Sequence, residues 1–139
     1  MLKQLIPLFL LVFTSSAFSA WKEVKSADFD GTSTTYYEKT NSLGHKLVID
    51  GKLKRLIFVQ NDKTIGRGIN GIKIDGEYFP TFQEGSSIRG YPQLTSIDLN
   101  VSSTDEKLSI LEKALNAKKI EVNVVYYRDG EIVRVFQIK

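Results

Sequence analysis

The chain has no cysteine, one histidine, one tryptophan, one methionine and three prolines in 139 residues. Without cysteine there can be no disulfide, thiolate metal ligand, thiol nucleophile or thiol redox chemistry. The fold must therefore rest on its apolar core alone. A single histidine, His45, leaves one candidate base for a Ser-His-Asp arrangement and leaves a zinc site short of ligands. His45 follows Gly44 in a turn region, where it is expected to be exposed and to carry no role. Charge of one sign is also scarce: 19 Lys and Arg face 16 Asp and Glu, a net charge of +3. That surplus is too small to single out nucleic acid as a partner, and none is expected.

Long apolar runs are missing too, with one exception. Lys3 precedes an apolar stretch from Leu5 to Phe13, followed by the small-residue tail Thr14-Ser15-Ser16-Ala17-Phe18-Ser19-Ala20. This order reads as a cleavable signal peptide over residues 1–19, with Ala17 and Ser19 as the small residues the peptidase needs before the cut. The stretch is shorter than the roughly 20 residues a bilayer span takes, and Pro7 interrupts it. No integral membrane segment is therefore expected after cleavage, and the absence of cysteine at the cut excludes a lipid anchor. Residues 20–139 are then a single exported β-rich domain, periplasmic or secreted. Losing Lys3 lowers the net charge from +3 to +2.

From Trp21 onward, short apolar segments alternate with turn signals, which predicts a mainly β, α+β fold: an antiparallel sheet arranged as a sandwich or partly open barrel. Strands are expected at Trp21 to Val24, Ser33 to Lys39, Lys46 to Asp50, Leu53 to Gln60, Thr64 to Ile69, Ile72 to Ile74, Glu77 to Phe79 and Leu94 to Val101. Turns are expected at Asp28 to Gly31, Asn41 to Gly44, Asp50-Gly51, Asn70-Gly71 and Asp75-Gly76. Residues 80–92, with Pro80, Gly85, Gly90 and Pro92, read as a long surface loop.

One helix is expected over residues 104–117. Ser103 and Glu106 fit a capping box. Asp105 and Glu106 in the first turn, and Lys118 and Lys119 at the end, suit the helix dipole. Leu108, Leu111 and Leu115, with Ala114, form the stripe expected to pack on the sheet. A C-terminal hairpin is expected over residues 119–139, turning at Asp129-Gly130. A two-residue turn there sets Arg128 opposite Glu131 and Tyr126 opposite Val133. Ile120, Val122, Val124 and Tyr126 would then share a core face with Val133, Val135, Gln137 and Lys139.

The motifs that could carry chemistry are weak. Gly66-x-Gly68-x-x-Gly71 matches the dinucleotide fingerprint in letters only, because a strand rather than a helix is expected after it. Asp28-x-Asp30-Gly31 resembles the opening of a calcium loop but lacks the later ligands. No cofactor or metal is expected. Glu23, Glu38, Glu77 and Glu84 are scattered carboxylates that would serve glycoside hydrolysis only if folding paired two of them. Lys52, Lys54 and Arg55, with Lys46 nearby, read as the charged outer face of an edge strand, or alternatively as a patch drawn to an anionic envelope surface.

The aromatics are better interaction candidates. Tyr36-Tyr37 and Tyr126-Tyr127 each offer one ring inward and one outward. Tyr78, Phe82, Arg89 and Tyr91 flank or sit in the long loop, and they are the expected partner-binding surface, since tyrosine gives large contact area at low entropic cost.

From Ile72 on, Ile74-Asp75-Gly76-Glu77, Ser96-Ile97-Asp98-Leu99, the helix Asp105 to Ala117 and the hairpin Ile120 to Ile138 resemble the small exported proteins of the invasion-associated locus B type. The likeness covers roughly half the chain, and that family's domains typically carry the cysteines missing here. Trp21-Lys22-Glu23-Val24 with Tyr36-Tyr37 is similar to the start of small surface-adhesin-like exported domains. Both resemblances imply an envelope or host-facing accessory role and carry over no functional residue. The expectation is a non-catalytic exported protein that recognises a protein or envelope component. A periplasmic immunity or inhibitor protein and a carboxylate-based cell-wall hydrolase are the alternatives.

Overall fold

The computed structural model describes residues 21–61, 66–82, 87–88 and 91–139. The signal-like segment, Glu84 and Arg89 lie outside them. The described elements are β1 (Lys22–Ala27), β2 (Ser33–Thr40), β3 (Lys46–Asp50), β4 (Arg55–Val59), β5 (Gly66–Ile74), β6 (Glu77–Phe79), β7 (Ser87–Ile88), β8 (Tyr91–Ile97), α1 (Thr104–Leu115), β9 (Lys119–Tyr126) and β10 (Gly130–Gln137). They form two antiparallel sheets, a six-stranded one in the order β1-β2-β3-β4-β8-β7 and a four-stranded one in the order β10-β9-β5-β6. The fold is mainly β with one helix, and the sheets do not close into a barrel.

Alternation along the strands decides what enters the core. In the six-stranded sheet, register aligns Tyr37, Ile49, Leu56 and Ile97 in one inward row and Leu47 with Phe58 in the next. From the four-stranded sheet come Ile69, Ile72, Ile74, Ile120, Val122, Val124, Tyr126 and Phe136. The sheets meet where the Phe58 and Phe136 rings cross edge to face, 6.3 Å apart. Each such large side chain contributes roughly 1.5–3 kcal/mol on burial.

Helix α1 starts as expected, with Ser103 Oγ accepting from the Glu106 N–H at 3.2 Å. The reciprocal half of the box differs: Glu106 Oε2 takes the Ser102 N–H and hydroxyl instead. The helix stops at Leu115, so its last-turn base is Lys113, and Lys119 opens β9. The buried stripe is also rotated from the expected one. Ile110, Leu111 and Ala114 are buried, Leu115 packs partly against the core, and Leu108 is exposed.

Three turns differ from expectation. Asp50 pairs with Arg55, so residues 51–54 make a four-residue turn rather than a two-residue one at Asp50-Gly51. Asp50 shapes it with its side chain, Oδ1 accepting from the Lys52 and Leu53 N–H groups at 2.9 and 3.1 Å. Asn70-Gly71 is a bulge inside one continuous strand, β5, and not a turn between two strands. There the Thr81 hydroxyl donates to the Ile69 carbonyl and accepts from the Gly71 N–H, at 2.6 and 2.8 Å. That side chain satisfies the backbone groups the bulge frees. It also pins Thr81 in the interior, so residues 80–92 are not one surface loop: Thr81 bridges Leu99, and β7 and the start of β8 occupy the rest of the described part.

The third difference inverts a face. The C-terminal hairpin pairs Tyr126 with Gly130 and Asn123 with Val133, so three residues, 127–129, connect its strands. Gly130 takes φ +69°, a conformation that glycine adopts without strain. The offset from the expected register is odd, and an odd offset exchanges the two faces of a strand. The expected core face of β9 is the observed one. On β10, Ile132, Arg134, Phe136 and Ile138 turn inward, while Val133, Val135 and Gln137 are exposed.

Candidate functional site

Hairpins β1–β2 and β3–β4 turn at the same end of the six-stranded sheet, beside α1. Between the two turns and the helix lies an open cleft of about 610 Å³. Its floor is apolar, formed by Tyr37, Ile49, Leu111 and Leu115, and its walls carry Asp28, Asp50, Lys52, Lys54 and Glu112. A concave, largely apolar site with a few placed polar groups is the usual form of a binding site.

Hydrogen bonds and ion pairs hold Asp28, Asp50 and Lys52, while the Lys54 and Glu112 side chains have no partner among the described residues. Asp28 Oδ2 accepts from the Thr34 hydroxyl at 2.6 Å and pairs with Lys52 Nζ at 3.5 Å. Thr32 ties the turn together, its hydroxyl 2.6 Å from Asp30 Oδ1 and 3.2 Å from Asp28 Oδ2. The Thr34 bond, followed by the attraction of Lys52 and the Thr32 bond, holds the Asp28 carboxyl below its ordinary pKa, against a partial burial that pushes it up. Bonds from the Thr32 side chain and backbone likewise lower Asp30. Both carboxylates are thereby fixed in their charged form.

The turns beside the cleft are the unusual part. Phe29 stands fully exposed at the tip of the Asp28 to Gly31 turn, and Leu53 is exposed at the tip of the β3–β4 turn between Lys52 and Lys54. Leu108, exposed on α1, lines the cleft itself. Turn tips are ordinarily polar, so large apolar side chains on two adjacent tips form a surface that gains by being covered. The sequence carries this signal, because Phe29 interrupts a run of turn formers and Leu53 interrupts a basic one. Neither was among the residues expected to matter.

Folding disperses the residues that were. Tyr78 belongs to the four-stranded sheet and Tyr91 to the six-stranded one, and Phe82 follows the Thr81 bridge. All three are exposed, at 56, 57 and 53 % respectively. Arg89 lies outside the described residues. Tyr126 is buried and Tyr127 exposed, as the pairing of inward and outward rings requires, whereas Tyr36 and Tyr37 are both half-buried.

His45 corrects an expectation. It is 4 % exposed, its ring packs on Phe58 at 5.6 Å, and its Nδ1 accepts from the Asn61 N–H at 3.1 Å. It is a core residue that holds the β2–β3 turn to the end of β4. The basic cluster is not the outer face of an edge strand either: Lys52 and Lys54 lie in a turn, and β4 is interior to its sheet. Lys46 and Arg55 face Glu38 and Asp50 at 3.6 and 3.8 Å. Gly66, Gly68 and Gly71 lie within β5, which is followed by strand β6, so they open no helix. Glu23, Glu38 and Glu77 lie on β1, β2 and β6 and pair with Lys25, Lys46 and Lys113 respectively. Among the described residues, no group of three or more His, Cys, Asp or Glu side chains is placed to hold a metal ion. Comparison with family models, curated proteins and solved structures finds no match for this chain.

Proposed function

We propose that the protein is an exported, non-catalytic recognition domain that binds a protein or envelope component through the cleft between its β1–β2 and β3–β4 turns. One observation carries the reading: Leu108 stands exposed in the lining of the cleft, and Phe29 and Leu53 stand exposed on the two turns that the Asp28–Lys52 pair joins beside it. Apolar groups on rigid turns give affinity when covered. Carboxylates fixed by hydrogen bonds shape walls. The signal-like residues 1–19 and the two family resemblances support an envelope or secreted site of action.

The test is site-specific photo-cross-linking in the producing cell. A photoreactive residue at position 29 should yield a discrete adduct in the envelope or medium, and a Leu53→Ser, Leu108→Ser background should abolish it. A reactive group at Tyr91 serves as the comparison. Adducts from position 91 with none from position 29 would move the contact surface to the start of β8. A single stoichiometric protein adduct from position 29 would favour the immunity or inhibitor form of recognition.

A further inference from the structure

Of the six asparagines in the chain, Asn70 alone is followed by glycine. An Asn-Gly pair is where an asparagine side chain is most easily attacked by its own backbone, because glycine has no Cβ to hinder the following nitrogen. The fold cannot discard this glycine. Gly71 sits at φ +88° in the β5 bulge, and a Cβ there would come within 2.5 Å of the Tyr78 ring. The shape that β5 takes therefore brings a chemically weak peptide with it.

Three contacts guard that peptide. The Gly71 N–H, which must lose its proton before the nitrogen can attack, donates to Thr81 Oγ at 2.8 Å. The Thr81 hydroxyl is itself fixed, because it donates to the Ile69 carbonyl at 2.6 Å in the interior. On the other side, Asn70 Nδ2 donates to Glu131 Oε1 on β10 at 2.5 Å. That nitrogen is the group that would leave. The attacking nitrogen and the leaving nitrogen are thus each held by a side chain from a distant part of the chain.

We propose that Asn70 is a latent site of spontaneous deamidation, kept closed by Thr81 and Glu131. In the reaction the Gly71 nitrogen gives up its proton to hydroxide and attacks Asn70 Cγ. The N–Cγ bond forms, the Cγ–Nδ2 bond breaks, and Nδ2 leaves as ammonia with a proton from water. The succinimide takes up one water at either carbonyl and opens to aspartate or isoaspartate. One water is consumed and one ammonia released, and nothing is oxidised or reduced. Both products damage this part of the fold. A carboxylate at position 70 meets Glu131 where an amide had donated to it, so like charges replace a hydrogen bond. Isoaspartate also adds a backbone carbon between Ile69 and Ile72, which pair with Val124 and Val122 of β9 and lie in the core. Attack requires the Thr81 bond to break, so the rate follows the fraction of molecules in which the bulge is open.

The test is mass spectrometry of the tryptic peptide from Gly68 to Lys73, in which Asn70 is the only amide side chain. Protein is kept at mildly alkaline pH, folded and in urea, and sampled over weeks for replacement of NH2 by OH. A sample digested at the start corrects for conversion during digestion. The folded wild type should convert at least about tenfold more slowly than the chain in urea. Thr81→Val removes the acceptor and should speed conversion of the folded protein about tenfold, the opening allowed by loss of one buried hydrogen bond. Thr81→Ser keeps the hydroxyl and should convert slowly. Thermal melts establish that each variant is folded during incubation. If Thr81→Val is not, hydrogen exchange of the Gly71 amide in the wild type decides: protection supports the latch, and exchange as fast as in the unfolded chain overturns it. Equal conversion of wild type folded and in urea overturns the proposal. So does a folded Thr81→Val that converts no faster than wild type. Neither result bears on the photo-cross-linking at position 29.

Discussion

The cleft at the end of the six-stranded sheet and the hollow of about 180 Å³ on the outer face of the four-stranded sheet, lined by Asn70, Lys73, Tyr78, Glu121 and Asn123, hold their polar groups differently. In the cleft, Asp28 accepts from threonines and a lysine, and Asp50 accepts from two backbone N–H groups, so the two carboxylates shape the turns. In the hollow, Asn70 donates to Glu131, whereas the buried Asn123 Oδ1 has no hydrogen-bond partner, and Lys73 and Glu121 form no ion pair, among the described residues. The apolar groups differ as well. The cleft leaves Phe29 and Leu53 uncovered on projecting tips, and the hollow lays its aromatic ring against a glycine.

The contrast can be broken most forcefully at the cleft floor. Leu111 is 4 % exposed and belongs to the common core. Leu111→Ala should cost about 2–5 kcal/mol in urea unfolding, because the floor of the cleft is also the roof of the core. A cost below about 1 kcal/mol would mean that the helix is only loosely attached. Next comes Asp50→Ala, which leaves two turn N–H groups without their acceptor. It should cost about 1.5–3 kcal/mol, the range for bonds to a charged group. The same assay applies, and an unchanged midpoint would show that the turn holds itself.

A smaller effect is readable through pH. The folded pKa of Asp28 lies below its unfolded value, so its bonds stabilise the fold above the ordinary carboxylate range. That contribution is lost as pH falls from about 4 through the lowered folded value. The difference in unfolding midpoint between wild type and Asp28→Asn should therefore be present at neutral pH and shrink in acid. A difference that does not change with pH would assign the effect to shape alone. The smallest effect is expected at the hollow. Asn123→Leu removes an acceptor that nothing satisfies, and stability should stay within about 0.5 kcal/mol or rise. A large loss would show that the amide has a structural partner.

The sequence made most of the strands, the helix start and the inward face of β9 legible, because those follow from local periodicity and capping chemistry; β7 and the start of β8 were hidden in the stretch that reads as a loop. Failures concentrated where one local choice has distant consequences. Asp129-Gly130 has the composition of a two-residue turn, yet the chain uses three, and every side chain of β10 changed face. Asn70-Gly71 looks like a turn for the same reason, and only Thr81, ten residues away from Gly71, reveals the bulge. His45 was expected at the surface because its neighbours are turn formers; its burial depends on Phe58 and Asn61, which no local pattern links to it. The cleft residues were visible as apolar intruders in polar turns, but their convergence depends on which ends of the sheet the hairpins share. The hollow was not visible at all, since Asn123 and Tyr78 become neighbours only through the pairing of β5 with both β6 and β9.

The pairing of β5 with β9 also sets a schedule. Ile74 meets Ile120 and Ile69 meets Val124, partners about fifty residues apart in the chain. A chain emerging from its N-terminus can close β1 to β4 by successive hairpins, each needing only a short loop. It cannot complete the inner face of β5 until β9 has emerged, and β6, β7, β8 and α1 all come between them. Ile69, Ile72 and Ile74 lack their β9 partners until then, so closure of the core waits on β9. A chain truncated before Lys119 would be left holding an apolar strand with no sheet to complete.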